Sequence, residues 1–428
     1  MKNYNLTIKE LFELQNFSIK MGLQNITDLC HNLQNPQTSY PAIHVAGTNG
    51  KGSTSVMIQT ILMMHGLKVG LYTSPHLVDF RERIRVNSKF VDQKFIIDFW
   101  QRIHAEVYRL KATFFDTTTA MAFDYFSHQK IDLAIIETGL GGRLDSTNIV
   151  NPVAVIITPI SVDHVKQLGR GLKSIAQEKA LIIKKGSTLF MSRQKKTVGE
   201  IISNYTYLTV ENYALSKSVR VSRIEEKSTE SQFDLYDKIR GAKIQKIRLN
   251  LAGFFQIDNA CLAYLAARWY LNRLNIEFEE EKFRKSMSEI QWNGRLQFIS
   301  SNPDIILDVS HNYTGFKNTL KHIDKWGGIQ SRYLIFGLLD DKEYKLIIRL
   351  IVKYFKNIVV TEPMHERAIS VEILENEFQR YGIGVESYKS IEQAYKQTQQ
   401  KLTKNDTLLI MGSHYIIGEI LNLSSKFS

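Results

Sequence analysis

The residue types best suited to chemistry stand together in one short loop, which reads Gly47-Thr48-Asn49-Gly50-Lys51-Gly52-Ser53. In such a loop glycines let backbone N–H groups turn toward a phosphate chain, a lysine neutralises the phosphates, and a serine hydroxyl can ligate Mg²⁺. The apolar run 42–46 before the loop predicts a buried strand, and apolar positions between Val56 and Met64 predict a helix after it. Strand, loop and helix together predict a nucleotide site, against the alternative of a flexible turn with an incidental lysine.

Three further polar side chains follow predicted strands at the point where each strand ends. Glu137 ends the run LAIIE, Ser74 follows the strand 67–72, and His164 comes shortly after the run VAVIIT. Because open α/β sheets bind ligands at the carboxyl ends of their strands, we expect these side chains near the phosphates. Carboxylate and hydroxyl oxygens suit Mg²⁺, and a neutral histidine is a good ligand for a divalent metal. Taken singly, each is more often an ordinary strand-end residue.

The elements that must position these groups alternate between short β-branched strands and amphipathic helices, which predicts an α/β fold with a parallel sheet. Between residues 218 and 251 the pattern changes to alternating segments that predict a small antiparallel patch. A second strand–helix series begins at Ile305, after a turn-rich break that starts at Trp292. We therefore expect a P-loop-type nucleotide-binding α/β domain over residues 1–295 and a smaller, Rossmann-like α/β domain over residues 296–428.

Composition narrows the class of protein further. The 428 residues hold 55 Lys and Arg against 43 Asp and Glu, a net charge of +12 that attracts polyanions of any kind. Cys30 and Cys261 belong to no CxxC or Cys/His cluster, which argues against a disulfide framework and a zinc site. No apolar run approaches the roughly 18 residues of a membrane span, and the N-terminus lacks the apolar core of a secretion signal. We therefore expect a cytoplasmic protein with no membrane partner.

Taken in chain order, a series of segments resembles the folylpolyglutamate synthase/dihydrofolate synthase family of the Mur-ligase superfamily. The matching segments span nearly the whole chain and are HVAGTNGKGS, YTSPHL, FFDTTTAMAF, ETGLGGRLDSTN, DHVKQLG, IAQEKA, GFFQIDN, WNGRL, DVSHN, FGLLDDKE and MGSHYIIGE. Two of them, TSPHL and GLGGRLDSTN, resemble folate ligases rather than Mur ligases at large. The resemblance therefore implies a folate ligase with the fold of the Mur ligases.

The activity that this resemblance implies is an ATP-dependent amide ligation. The carboxylate of dihydropteroate, or the terminal γ-carboxylate of a reduced folate, would attack the γ-phosphate of ATP and form an acyl phosphate. The amine of L-glutamate would then displace phosphate through a tetrahedral intermediate. The expected cofactor is Mg²⁺, with ATP as co-substrate. The expected partners are these small molecules alone, without nucleic acid or membrane, and the expected state is a monomer.

Carried over position by position, the resemblance also assigns roles to single residues. It places ATP against Gly47, Thr48, Asn49, Gly50, Lys51, Gly52, Ser53, Asn259, Arg295 and Asp308. It implies Mg²⁺ ligands at Ser53, Ser74, Glu137 and His164. It implies catalytic roles for Lys51, Lys179 and His311, with Lys179 carried as a carbamate, although the segment around Lys179 by itself indicates only an amphipathic helix. It places the pterin end of the folate near Met21, Gly22, Leu23, Phe115, Asp116, Leu144 and Asp145.

Several positions depart from the family's pattern, and alternatives to the leading function stay open. Phe255 stands where the family has histidine, Val309 where it has glycine, and Asp116 where it has glutamate. Because the shorter Asp116 belongs to the pterin end, the presence of dihydrofolate synthase activity stays open. A related amide ligase for another acid and amino acid is one alternative. A P-loop nucleic-acid-binding ATPase is another, although Lys and Arg are spread along the chain rather than clustered with aromatic residues.

Overall fold

The computed structural model describes residues 3–16, 22–169, 171–325 and 331–427. Its helices are α1 (Tyr4–Glu13), α2 (Gln24–Asn32), α3 (Lys51–Met64), α4 (Gln93–Leu110), α5 (Phe114–Gln129), α6 (Val165–Leu168), α7 (Leu172–Ala180), α8 (Lys196–Ser203), α9 (Leu215–Ser218), α10 (Phe254–Arg273), α11 (Glu280–Glu289), α12 (Tyr313–Ile323), α13 (Tyr344–Ile351), α14 (Val371–Gln379), α15 (Ile391–Gln399) and α16 (His414–Phe427). Among the helices of these described ranges, none has both the length and the apolar character needed to cross a membrane.

The strands form three sheets. They are β1 (Ala42–Ala46), β2 (Val69–Tyr72), β3 (Ile84–Val86), β4 (Lys89–Phe90), β5 (Leu133–Glu137), β6 (Ala154–Ile157), β7 (Thr188–Met191), β8 (Glu211–Ala214), β9 (Val219–Glu226), β10 (Ser231–Asp237), β11 (Ala242–Leu249), β12 (Gln297–Ser300), β13 (Asp304–Asp308), β14 (Arg332–Phe336), β15 (Asn357–Thr361), β16 (Glu386–Tyr388) and β17 (Thr407–Met411). The alternation of strands and helices confirms the predicted α/β fold.

The largest sheet has the strand order β4-β3-β2-β5-β1-β6-β7-β8, with β3 and β4 antiparallel at one edge and the other strands parallel. Strands β1, β5 and β6 are buried along their whole length. Ile43 and Val45 pack in the core with α3, α10 and α11, whereas Ala42 packs with α2, α4 and α5, since successive side chains of a strand face opposite ways. Burial on both faces explains the continuous apolar runs of these strands.

Helix α3 carries the residues of the phosphate loop into the core. It begins at Lys51, so Lys51, Gly52 and Ser53 form its first turn, where the sequence pattern predicts the end of a loop. Gly50, with φ at +87°, turns the chain into the helix, so no capping side chain is needed. Residues from Gly52 to Gln59 are buried without a break because the sheet lies on one side of α3 and α10 and α11 lie on the other.

Strands β9, β10 and β11 form the small antiparallel sheet that the alternating pattern predicts, in the order β11-β10-β9. Phe233 and Ile247 of this sheet join the same core as α3 and α10. At the end of β9, Glu226 forms an ion pair with Lys325, and its Oε1 lies 3.4 Å from Nδ1 of His322 in α12. The antiparallel sheet therefore contacts the C-terminal part of the chain as well as the first core.

The C-terminal sheet has the strand order β12-β13-β17-β14-β15-β16 and is parallel except at β12. The apolar runs of the sequence predict β13, β14, β15 and β17 but not β12 and β16. Every residue of β12 is only half-buried, and β16 is a short strand at the opposite edge, so neither has the pattern of an enclosed strand. The segment from Gln297, which the sequence pattern indicates as part of a turn-rich break, is therefore an edge strand. The sequence pattern also does not predict the strand β4, because β4 is exposed and is not an enclosed strand.

A buried histidine ties the first strand to the loop that follows β5. His44 is fully buried in β1, and its Nε2 lies 2.8 Å from Oγ1 of Thr147. Burial, with a smaller contribution from the charge of Lys184, lowers the pKa of His44 from 6.5 to about 3. The unfolded chain therefore binds this proton at a higher pH than the folded chain does.

We expect His44 to make the fold sensitive to acid. Its neutral form contributes stability above pH 6.5, and this contribution is lost as the pH falls toward 3. Relative to wild type, His44→Gln should lose less stability on acidification, by at most about 1.4 kcal/mol per pH unit in that window. Urea titrations at several pH values measure this, with the exposed His31→Gln as the matched control. If wild type and His44→Gln lost the same free energy of unfolding as the pH fell, the assignment would be contradicted.

Candidate active site

The phosphate loop is held against the end of β6. The Thr48 amide donates to the Pro159 carbonyl at 2.9 Å, and its hydroxyl donates to the Ser161 carbonyl and accepts from the Ser161 amide, both at 3.0 Å. A Cβ at Gly47, where φ is +150°, would lie 1.8 Å from Oγ1 of Thr158. Only glycine fits this close approach, so the loop is clamped in one conformation with its amides at the carboxyl edge of the sheet.

Lys51 and Glu137 face each other beside this loop. Lys51 Nζ lies 3.7 Å from Glu137 Oε1 and 3.5 Å from the Thr48 carbonyl oxygen. Burial raises the pKa of Glu137, while the charges of Lys51 and Arg295 and a hydrogen bond from the Ser74 amide oppose that rise. The carboxylate is therefore buried among cations at the end of β5, as expected from its place at the strand end.

Arg295 brings a half-buried cation to the same place. Burial lowers its pKa, and the charges of Asp308 and Glu137 oppose this effect. Its Nε is buried and has no hydrogen-bond partner among the residues that the structure describes. Because buried donors are nearly always hydrogen-bonded, an unpartnered guanidinium nitrogen fits the binding of an anionic ligand group.

Lys179 lies on α7, beneath the phosphate loop. It is buried, and its Nζ donates a 2.7 Å hydrogen bond to the Gly47 carbonyl. Burial, followed by the charge of Lys51, lowers the pKa of Lys179 to about 7. A substantial fraction of this amine is therefore neutral at physiological pH. The amphipathic pattern of α7 alone gives no signal for this placement, which depends on how the helix packs.

Ser74, Glu137 and Arg295 line one cavity of about 470 Å³, together with Gly52, Trp292 and His414. His414 is a site residue to which sequence reasoning assigned no role. Burial lowers its pKa well below the usual range, with the charges of His311 and Arg295 adding to the effect, so its imidazole is neutral. The sequence signals for it are its position shortly after the strand β17 and its place in the family-like segment MGSHYIIGE.

His164 faces the C-terminal domain and does not line this cavity. Its Nδ1 lies 3.6 Å from Asp341 Oδ2, and its Nε2 lies 3.9 Å from Asp163 Oδ2. Burial lowers the pKa of His164 to about 4, so its ring is neutral and able to ligate a metal. The structure therefore brings Ser74 and Glu137 together, with Ser53 buried in the first turn of α3, and places His164 apart from that cavity.

The donors at this edge fit a magnesium ion that arrives with a nucleotide. In the described part of the chain, no group of three or more His, Cys, Asp or Glu side chains converges as a ready metal site. Mg²⁺ commonly takes one or two carboxylates and completes its shell with phosphate oxygens and water. The buried carboxylate of Glu137, in one cavity with Ser74 and next to the first turn of α3 that holds Ser53, matches that pattern.

The two domains meet at the phosphate loop through a reciprocal pair of amides. Asn49 Nδ2 donates to Asn312 Oδ1 at 3.2 Å, and Asn312 Nδ2 donates to Asn49 Oδ1 at 3.0 Å. Asn312 Nδ2 and Lys342 Nζ also donate to Asp163, at 3.0 and 2.7 Å, and His311 Nε2 lies 3.5 Å from the same carboxylate. His311 is therefore at the interface between the domains, next to the loop.

Two further residues of the expected ATP set have partners within the protein. Asn259 Nδ2 donates to Gln256 Oε1 at 3.0 Å, and its Oδ1 would lie 2.6 Å from a Cβ at Gly50, so it packs directly on the loop. The Asp308 carboxylate accepts three hydrogen bonds of 3.0 Å. Their donors are the amides of Leu296 and Ser310 and the hydroxyl of Thr319. Asp308 thus braces the junction between the domains.

Two of the expected pterin residues, Asp116 and Asp145, share a structural task. Asp116 accepts from the Thr113 amide and hydroxyl at 3.0 and 2.8 Å and from the Ser146 hydroxyl at 2.6 Å. Asp145 accepts from the amides of Leu140 and Thr147 at 2.7 and 3.0 Å. These carboxylates hold the start of α5 and the loop after β5 in place.

The other expected pterin contacts are arranged around these two carboxylates. The ring of Phe115 packs on Gly139, where a Cβ would lie 2.5 Å from it. Leu23 packs at the edge of the core of α2, α4 and α5, and Gly22 and Leu144 are half-buried. Met21 lies outside the described residues.

Comparison with known proteins agrees with this fold and this loop. Residues 45–267 match the family model of the Mur ligase middle domain, and residues 294–414 match that of the Mur ligase glutamate ligase domain. The chain thus has the fold of a Mur ligase.

Individual relatives show which family of Mur ligases the chain resembles. The chain is 31% identical to the dihydrofolate synthase/folylpolyglutamate synthase of Bacillus subtilis over 94% of this chain and 95% of that protein. A protein of the same name from Buchnera aphidicola is 31% identical over 99% of both chains. The folylpolyglutamate synthase of Mycobacterium tuberculosis, solved with ADP and AMPPCP, superposes with a TM-score of 0.91 at 26% identity over 99% of each chain. The chain therefore belongs to the folylpolyglutamate synthase/dihydrofolate synthase family.

We expect Gly47→Ala to weaken ATP binding, because the new methyl group would collide with Thr158 and displace the loop. Overpacking of this kind costs about 1–3 kcal/mol, which corresponds to a roughly 5- to 150-fold weaker affinity if the whole cost falls on the bound state. Calorimetric titration with ATP measures it. The matched control is Gly199→Ala in α8, where a Cβ meets nothing within 4 Å. An unchanged affinity in Gly47→Ala would show that the loop does not hold the nucleotide.

Proposed function

We propose that this chain is an ATP-dependent ligase that adds L-glutamate to the γ-carboxylate of a reduced folate or its polyglutamates. The proposal rests chiefly on one arrangement, in which the Lys51–Glu137 pair lies beside the phosphate loop and Glu137 shares a cavity with Arg295. The buried Nε of Arg295 has no hydrogen-bond partner among the described residues. Relatives named dihydrofolate synthase/folylpolyglutamate synthase support the choice of substrates.

The reaction proceeds in two balanced steps. A carboxylate oxygen of the folate attacks the γ-phosphorus of ATP, the bond to the β-phosphate oxygen breaks, and ADP leaves. The amine nitrogen of L-glutamate then attacks the carbonyl carbon of the acyl phosphate. The tetrahedral intermediate collapses to the amide and inorganic phosphate, and the amine releases its proton. Both steps bring anions together, so positive charge near the phosphates lowers the barrier.

The residues of this chain supply that charge and the orientation. The loop amides, Lys51 and Arg295 would bind ATP, and Asn259 supports the loop from behind. His311 lies on the phosphate side of the cleft between the domains, next to Asp163. Ser53, Ser74 and Glu137 would hold Mg²⁺, which when bound supplies further positive charge on the phosphate oxygens. His164 lies apart from their cavity, and its role as a further ligand rests on the family resemblance alone.

Lys179 is proposed to act as a carbamate. Its neutral amine would add to carbon dioxide, form an N-carboxylate and release one proton. Burial and a pKa of about 7 support this step, because only the neutral amine is nucleophilic and the amine is neutral in part at physiological pH. The product exchanges a cation for an anion beside Lys51, so it relieves the repulsion that lowers the pKa of the lysine.

The other assignments follow the same proposal. The pterin end of the folate would lie along Phe115, Leu144 and Leu23, on a wall whose shape depends on Asp116 and Asp145. Residues 1–295 would bind ATP and folate, and residues 296–428 would close over them. The working unit is proposed as a monomer in the cytoplasm, and free, buried Cys30 and Cys261 agree with a reducing compartment.

Turnover should require every reactant at once. We expect ADP release only with ATP, Mg²⁺, tetrahydrofolate and L-glutamate together, and the product should be heavier than the folate by one glutamyl residue. A coupled ADP assay and mass spectrometry measure both. Dihydropteroate as the alternative acceptor tests the second activity of the family, dihydrofolate synthesis. ATP turnover that ignores both folate and glutamate would refute the proposal.

Removal of the Lys179 amine should abolish most of the activity. We expect Lys179→Ala to lower kcat by about 100-fold or more, the scale for losing one electrostatic group at a reacting phosphate. A short carboxylate such as acetate should restore part of it. The exposed Lys173→Ala in the same helix is the control. Isotope-labelled bicarbonate should give a carbamate signal in wild type that strengthens as the pH rises through 7, and a wild-type rate in Lys179→Ala would contradict the assignment.

A further inference from the structure

The cavity at the active site extends well beyond the reacting groups. From Glu137 and Arg295 it follows α3 toward Met63, and its outer wall is the hairpin of β3 and β4, which contributes Arg85 and Phe90. Its volume of about 470 Å³ is ample for a small molecule such as an amino acid. Of the described residues expected at the pterin end, none lines this cavity. The space is therefore left for a reactant other than the pterin.

Arg85 is the cation of the outer wall. Its guanidinium carbon lies 4.8 Å from the ring centroid of Phe90 and 5.0 Å from that of Trp292, and its Nε donates to the Glu82 carbonyl at 3.0 Å. Within the described residues no carboxylate oxygen lies within 4 Å of it as an ion-pair partner. Burial lowers the pKa of Arg85, with the Glu82 charge opposing, so the guanidinium stays charged while partly desolvated.

The nearest acid is committed to the backbone. Both carboxylate oxygens of Glu82 accept hydrogen bonds, from the amides of Leu77 and Val78 at 2.9 Å and from the amide of Asp79 at 2.8 Å. Glu82 therefore shapes the loop that follows Ser74 and does not pair with Arg85. A partly desolvated guanidinium held between two aromatic rings, with no ion-pair partner of its own, is suited to a carboxylate brought by a ligand.

The indole of Trp292 separates Arg85 from the reacting end. Its ring atoms would lie 3.1 Å from a Cβ at Gly52, and that same Cβ position lies 3.4 Å from Glu137 Oε2. A molecule in the cavity can therefore have one end at Glu137 and Arg295 and the other at Arg85. In L-glutamate the amine nitrogen and the γ-carboxylate carbon lie about 5 Å apart when the side chain is extended.

We propose that Arg85 binds the γ-carboxylate of the incoming L-glutamate and so selects a dicarboxylic amino acid, an inference that rests on the ligase function proposed above. The amine then points to the acyl phosphate, on the opposite side of the reacting centre from the pterin. Arg85 makes its contact with the amino acid in the ground state and the transition state alike. Its loss therefore raises KM for glutamate and leaves kcat little changed.

The test compares Arg85→Met, which keeps the apolar stem against Trp292, with Arg85→Lys, which keeps the charge. We expect Arg85→Met to raise KM for L-glutamate about 10- to 100-fold, the scale of a lost hydrogen bond to a charged group. KM for ATP and for tetrahydrofolate should stay within twofold of wild type, roughly the scatter of such measurements. The preference for glutamate over glutamine, as a ratio of kcat/KM, should fall about tenfold or more, since glutamine lacks the charge. Arg85→Lys should keep part of that preference.

The controls separate the possible failures. Exposed Arg349→Gln in α13 should behave as wild type. If Arg85→Met lowers the melting midpoint, the glutamate preference is compared between Arg85→Gln and Arg85→Lys, which differ in charge. An unchanged glutamate preference in a folded Arg85→Met overturns this inference while the ligase function stands. A rise in KM for the folate alone also overturns it, because the cavity then holds the tail of the acceptor. Wild-type protein without folate- and glutamate-dependent turnover refutes the proposed function itself.

Discussion

The buried carboxylate of Asp163 sets the register between the two domains. It accepts hydrogen bonds from Asn312 and Lys342 and lies beside His311, all in the C-terminal domain. Burial alone would raise the pKa of Asp163, but the hydrogen bond and charge of His311, together with Lys342, hold it well below its usual range. Because Asn312 also pairs with Asn49, the same contact fixes the phosphate loop against the second domain. Every residue that reaches the cavity from that domain depends on this register.

Positive charge predominates at the site that this contact assembles. Lys179 and Glu137 are buried and Lys51 and Arg295 are half-buried at one sheet edge, and burial lowers the pKa values of Lys179 and Arg295. Desolvated cations of this kind are unfavourable until anions reach them, so a triphosphate and a carboxylate gain more here than on an open surface. The net charge of +12 is far larger than the charge of this cluster, so most of it is carried by residues elsewhere on the protein.

Much of the fold could be predicted from the sequence because enclosed strands such as β1 and β5 have continuous apolar runs. The hairpin of β3 and β4 could not, since it is short and largely exposed, and it carries Arg85. Lys179 shows only an amphipathic pattern, so its burial depends on packing that sequence spacing does not encode. The pattern Thr113-x-x-Asp116 was a readable signal of a capping box, which explains why the Asp116 carboxylate serves the helix start. The sequence also could not predict that the Asp308 carboxylate already accepts hydrogen bonds within the protein, because only tertiary contacts bring its donors near.

The contact between Glu226 and Lys325 gives the C-terminal domain a second attachment, on the antiparallel sheet and away from Asp163. A rigid body attached at two separate places has little freedom to rotate about the chain that joins it. If the domain swings away from the cleft, it must either break the contacts at Asp163 or pivot about the antiparallel sheet. Each hydrogen bond to a charged group contributes about 1.5–3 kcal/mol, so the Asp163 cluster alone can make opening slow relative to local loop motion. The escape of ADP and product would then be governed by the lifetime of these contacts.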